Sequence, residues 1–143
     1  MIAAPVDAWR VFQQGDAPRL AFADWQRNAK QFFDESIELV LREGATARIA
    51  LGGVNRVVFG RARSEDDLRD ALAADRGGGL YDLAERRCGV VWLVEREGAQ
   101  DRNALVLAAA MASVCLGPIL GDDRLLGVRS AREELEKLAA PYR

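Results

Sequence analysis

The chain has no histidine. That absence removes every site that needs an imidazole: hydrolytic dyads and triads with a histidine base, histidine phosphorelay, and the H-E-x-x-H zinc site. Cysteine is almost as scarce. Cys88 and Cys115 are far apart and sit in apolar surroundings, which excludes a cysteine-rich zinc site and predicts two reduced thiols acting as small core residues. Hydroxyl nucleophiles are limited to Thr46 and four serines, and neither lysine, Lys30 or Lys137, adjoins one. No stretch has the length of a secure membrane span. The longest apolar run, Ala104 to Leu120, only reaches the lower limit and is broken by Gly117 and Pro118, so it is expected to be a buried core helix with no membrane role. The N-terminal MIAAPVDAWRVF has neither the basic nor the long apolar region of a signal peptide, which predicts a cytoplasmic protein.

An excess of either charge is missing too. Twenty basic residues against 22 acidic ones leave a net charge of −2. No global field therefore draws the chain to nucleic acid or to an anionic membrane, and nucleic acid is not an expected partner. Eighteen of the twenty basic residues are Arg, the bias expected of a GC-rich bacterial genome.

What is present describes a globular protein. Half of the residues are apolar and 29% are charged, over 143 residues, which predicts one domain spanning 1–143 around one core. Val6, Trp9 and Phe12 fall at helical spacing and predict a short amphipathic segment within residues 1–15, interrupted by Gly15 and Asp16. A longer helix is expected next, capped by Asp16, with Pro18 in its first turn and Phe22, Trp25, Ala29 and Phe32 as its apolar stripe. Ser36–Glu43 reads as a continuation of that helix, with a strand as the alternative. Gly52 and Gly53 join two β-type segments as a hairpin, with Ala47, Ile49 and Leu51 on one face. Ser64 and Asp67 have capping-box spacing ahead of a surface helix carrying Leu68, Ala71 and Leu72. A short helix with Leu80, Leu83 and Ala84 precedes CGVVWLV, which is apolar on both faces and so predicts a central strand with Trp92 buried. Asp101 or Asn103 can cap the Ala-rich helix, and Ser130 with Glu133 predicts a capping box for a C-terminal helix. The fold class is α+β: a small, largely antiparallel sheet with helices packed on it.

Candidate sites are few. Carboxylates are the remaining catalytic resource, and two pairs stand out. Asp66 and Asp67 lie in a helical first turn, where the dipole favours negative charge. Asp122 and Asp123 occupy a Gly-Asp-Asp turn between apolar flanks and are the alternative Mg²⁺ position. Arg76 followed by Gly77, Gly78 and Gly79 is the alternative anion site, since glycine amides at a helix start can approach a phosphate. It lacks the lysine and hydroxyl of a phosphate loop, so a connector is expected. Arg56, Arg61 and Arg63, joined by Arg86 and Arg87, could form a local basic patch, with Phe59 the only aromatic among them.

Six of the ten aromatic residues lie within the first 33 positions. Their density, with Val6, Trp9 and Phe12 on a segment too short to be a stable helix alone, predicts that this segment docks on another protein or a second copy of the chain. The expected function is a non-catalytic protein–protein interaction module of a bacterial cytoplasm, of adaptor, chaperone-like or inhibitor type, with no cofactor. The alternative is a small regulatory or catalytic domain holding an anion at Gly77–Gly79 or Mg²⁺ at Asp122 and Asp123.

Overall fold

A computed structural model describes residues 1–139. In them one antiparallel sheet of seven strands organises the chain, in the order β2-β3-β4-β5-β1-β6-β7. The strands are β1 (Ala8–Gln13), β2 (Ile37–Glu43), β3 (Thr46–Leu51), β4 (Val54–Ala62), β5 (Val90–Glu95), β6 (Ile119–Leu120) and β7 (Leu125–Leu126). The helices are α1 (Phe22–Phe33), α2 (Glu65–Ala74), α3 (Leu80–Arg87), α4 (Arg102–Cys115) and α5 (Val128–Ala139). This is the expected α+β class with a wider sheet than expected.

The central position of CGVVWLV holds. β5 is the middle strand, and its neighbours pair Val11 with Trp92 and Gly60 with Trp92. Alternation sends Val90, Trp92 and Val94 to one face, with Trp9 and Val11, under α4 and α1. Val91 and Leu93 go to the other face, with Phe12, under α2 and α3. Trp92 is fully buried, edge-to-face with Trp25 at 5.3 Å between ring centroids. The space for its ring comes from Gly60, where a Cβ would lie 2.8 Å from Trp92 Cη2. α4 lies between the sheet and the outer helices, so all its residues from Ala104 to Ala112 are buried. That explains a helix apolar throughout Ala104–Ala112 yet too short to span a bilayer, and no helix among the described residues is long and apolar enough to cross a membrane.

Several local expectations stand. Gly52 and Gly53 close the β3–β4 hairpin at φ of +60° and +77°, as a two-residue primed turn requires. Ser64 and Asp67 form the reciprocal capping box of α2, and Asp101 caps α4 through Ala104 N–H.

Others are corrected. Residues 8–13 are a strand, not a helix: Trp9, Phe12 and the intervening Val11 satisfy both faces of a doubly covered sheet, and their three-residue spacing only imitates helical periodicity. α1 begins at Phe22 with no side-chain cap, not after Asp16, because Gln13 captures the intervening backbone at Ala17 O and Arg19 N–H. Asp34 in the left-handed conformation ends α1, and Ile37–Glu43 then pairs with β3 from Ile37–Leu51 to Glu43–Thr46. Edge pairing overrides the helix propensity of its Glu, Leu and Arg. The C-terminal helix starts at Val128, so Ser130 and Glu133 lie inside it and are not its cap.

Candidate functional site

The expected docking residues separate. Trp9 and Phe12 are core side chains on opposite faces of β1, and only Val6, in the strap ahead of β1, is exposed. The surface expected at Val6, Trp9 and Phe12 does not exist in the folded chain, because Trp9 and Phe12 are buried on opposite faces of β1.

The glycine run does hold an anion, one from its own chain. Asp75 accepts from Gly78 N–H at 3.1 Å through one carboxylate oxygen and from Tyr81 N–H at 3.1 Å through the other. Its own carboxylate thus occupies the amides at the start of α3, and Gly77–Gly79 connects α2 to α3 as the expected connector.

Of the arginines that could form a patch, Arg56, Arg61 and Arg63 are spent internally, while Arg86 and Arg87 are exposed at the end of α3. Arg56 is buried against Asp101, 2.7 Å away. Arg63 donates to the carbonyls of Ala84, Glu85 and Cys88 at the end of α3. Arg61 makes two bonds to Asp67, which also receives Arg10. Asp66 and Asp67 therefore never act as a pair: Asp66 is exposed and Asp67 is buried beneath three donors. Burial alone would raise the Asp67 carboxyl, but the bonds from Arg61, Ser64 N–H and Arg10 outweigh it and hold it at about 2. This cluster ties β1, β4 and α2 together.

Two of the surface concavities contrast in chemistry, one charged and one apolar. The first is a charged cleft of about 640 Å³ on the α2 side of the sheet, between the N-terminal strap, α2 and the β6–β7 turn. It brings together residues that the sequence treats as separate sites, since Arg76, Asp122 and Asp123 all line it, with Arg10, Asp70 and Leu93. Arg96 forms part of the wall. Its side chain is 4% exposed, its Nε donates to Asp7 at 3.0 Å, its Nη2 donates to Asp122, and its Cζ lies 4.5 Å from the Trp9 ring centroid. The hydrogen bond from Arg96 lowers the Asp7 carboxyl below its ordinary range. Nη1 of Arg96 is buried without a partner. Mg²⁺ at Asp122 and Asp123 is not supported: Asp122 is held by Arg96, and no three or more Cys, Asp or Glu among the described residues are grouped to hold a metal ion.

The second concavity is an apolar groove of about 470 Å³ between α1, α3, the end of α4 and α5. Phe32, Leu80, Leu83, Leu116, Pro118 and Val128 line it, and among the described residues Arg132 is its one charged lining residue. Phe32 is 40% and Leu116 60% exposed. Leu116 is also the C-cap of α4, at φ +59°, a conformation usually left to glycine. Sequence reasoning placed Phe32 on the α1 stripe and Leu80 and Leu83 on α3 but not in one groove. The only available signal was a leucine where a helix stop before Gly-Pro would favour a small residue.

The comparisons with known proteins return nothing: no family model, no curated protein and no solved structure matches this chain.

Proposed function

We propose that this protein is a non-catalytic protein-binding module that receives an amphipathic, acidic helical segment of another protein in the groove between α1, α3, α4 and α5. The observation that carries the reading is Leu116. A large apolar side chain stands exposed in a left-handed backbone position, beside exposed Phe32, over a floor of Leu80, Leu83 and Val128. Contiguous exposed apolar surface with a charged rim is what helix-in-groove recognition uses. The partner's charge follows from Arg132, the only charged lining residue among those described, whose Nη2 donates to Phe32 O at a long 3.5 Å and whose Cζ lies 5.9 Å from the Phe33 ring centroid. Both chemistries are binding chemistries.

The test places a photo-crosslinking amino acid at Leu116 and, as a control, at Leu72, an exposed apolar side chain of α2 outside the groove. Crosslinking to a defined acidic segment from Leu116 but not from Leu72, abolished by Arg132→Glu, supports the reading. Equal labelling at both positions, insensitivity to Arg132→Glu, or crosslinking of the chain to itself overturns it.

A further inference from the structure

One stretch of the groove wall is polar without being charged. α1 and α4 run antiparallel along it: Glu35, just past the end of α1, meets Arg102 at the start of α4 at 3.0 Å, and Asn28 donates to Ser113, near the end of α4, at 2.8 Å. Asn28 and Ser113 both line the groove. Phe32 stands one helical turn beyond Asn28 on α1, and Leu116 stands about one turn beyond Ser113 at the cap of α4. Since the helices run in opposite directions, these two exposed apolar side chains lie on opposite sides of the polar pair. The wall therefore reads apolar, polar, apolar, at steps of about 5 Å.

The orientation of the Asn28 carboxamide follows from its neighbour. The Ser113 hydroxyl donates its proton to Ala110 O at 2.7 Å, so it accepts from Asn28, and Nδ2 is the atom that faces it. Oδ1 is left with no donor among the described residues and keeps access to solvent. A helix laid over this wall takes water from that oxygen and from the second Nδ2 hydrogen. An apolar side chain placed there leaves both unanswered, which is the costly case for a polar group. A carboxylate answers only the N–H, and an ammonium only the oxygen. A carboxamide carries a donor and an acceptor in one plane and answers both.

We infer that the Asn28–Ser113 pair sets the register of the helix bound in the groove: the partner carries Gln or Asn on its apolar face, with a large apolar residue one turn before it and one turn after it, against Phe32 and Leu116. This rests on the reading of the groove as a helix site. A single polar position in an otherwise apolar helix interface specifies alignment at some cost in affinity.

The experiment displays a phage library of single helices of about 18 residues, with a fixed acidic outer face and randomised apolar-face positions, and selects it on the full chain. Enriched helices should carry Gln or Asn flanked by apolar residues at helical spacing. Replacing that carboxamide by Leu should weaken binding to the parent protein about tenfold and leave binding to Asn28→Leu unweakened. Asn28→Ala, which removes the amide without adding bulk, should show the same loss of preference. Asn28 is only partly buried, and thermal unfolding of both variants reads their fold. Helices that bind through the groove, as loss of binding to Leu116→Asp shows, but carry Leu at the middle position as often as Gln or Asn overturn the inference and leave the groove reading standing. So do carboxamide helices whose preference over their Leu versions is the same on the parent and on both Asn28 variants. A selection that enriches no helix, or only helices indifferent to Leu116→Asp, overturns the groove reading and this inference with it.

Discussion

The indole N–H of Trp92 donates to Oε1 of Gln13 across the β1–β5 boundary at 2.8 Å, where both residues are buried. The same oxygen accepts from Arg19 N–H at 3.0 Å, and the Gln13 amide nitrogen donates to Ala17 O at 2.8 Å. One side chain thus answers the only polar atom of the central tryptophan and shapes the loop leading into α1. Gln13→Leu, which orphans the indole N–H and releases the loop, should cost about 1–3 kcal/mol. Trp92→Ala should cost about 3–5 kcal/mol, enough to unfold a marginal domain. Urea denaturation of both variants checks the order. Because Trp9 and Phe12 are core residues, the double variant Trp9→Ala, Phe12→Ala should melt far below the parent, not merely lose a partner.

The Asp67 carboxyl lies at about 2, against an ordinary 3.8, so its charged form is favoured by folding. A group with a depressed folded pKa contributes its stability above the unfolded value and loses it as pH falls through the folded one. The contribution, about 2 kcal/mol, should be complete above pH 4 and gone below pH 2. Asp67→Asn should destabilise the protein by about 3 kcal/mol at neutral pH, since Arg61 loses its carboxylate. Its stability should also fall less steeply with acid over that window. Denaturation midpoints of parent and variant between pH 5 and pH 2 read both effects.

At Leu116 the cap conformation and the side chain pull in opposite directions. A left-handed backbone costs an L-residue about 1–2 kcal/mol, a cost that glycine avoids. Leu116→Gly should therefore leave stability unchanged or raise it by about 1 kcal/mol, while removing the most exposed apolar contact of the groove. Calorimetry paired with the crosslinking assay separates these outcomes. A large fall in melting temperature would show that Leu116 packs as core.

Burial pushes the Cys88 thiol up to about 11 and the Cys115 thiol up to about 12. Both are buried, so almost no thiolate exists near neutral pH and neither should react with a disulfide reagent in the folded protein. Titration in native buffer and in urea should give no fast thiol in the first and two in the second.

Where the sequence was legible, the signal was local and chemically unambiguous. The Gly-Gly hairpin, the Ser64–Asp67 capping box, the Asp101 cap and the apolar run Val90–Val94 of β5 each depend on neighbouring residues and a few backbone angles. The misreadings at residues 8–13 and 36–43 have one cause. Both segments carry apolar residues at spacings compatible with either period, and their state is decided by strand pairing: with the distant β5 for the first, and with β3, just across the turn at Gly44, for the second. No local rule weighs a strand partner eighty residues away.

The sites divide in the same manner. By itself the amino-acid sequence determined which chemistries lack a residue to perform them: with no histidine, no imidazole base can form whatever the fold. It also determined that the glycine run lacks phosphate-loop partners, because that depends on residues beside it. Only the tertiary structure decided that Arg61 and Arg63 are spent on Asp67 and on the end of α3, and that Arg76, Asp122 and Asp123 share one cleft. Only it decided that Phe32, Leu80 and Leu116 line one groove. Charges and apolar side chains act through distance in space, and packing α2 and α3 on one face of the sheet and α1 and α4 on the other sets those distances.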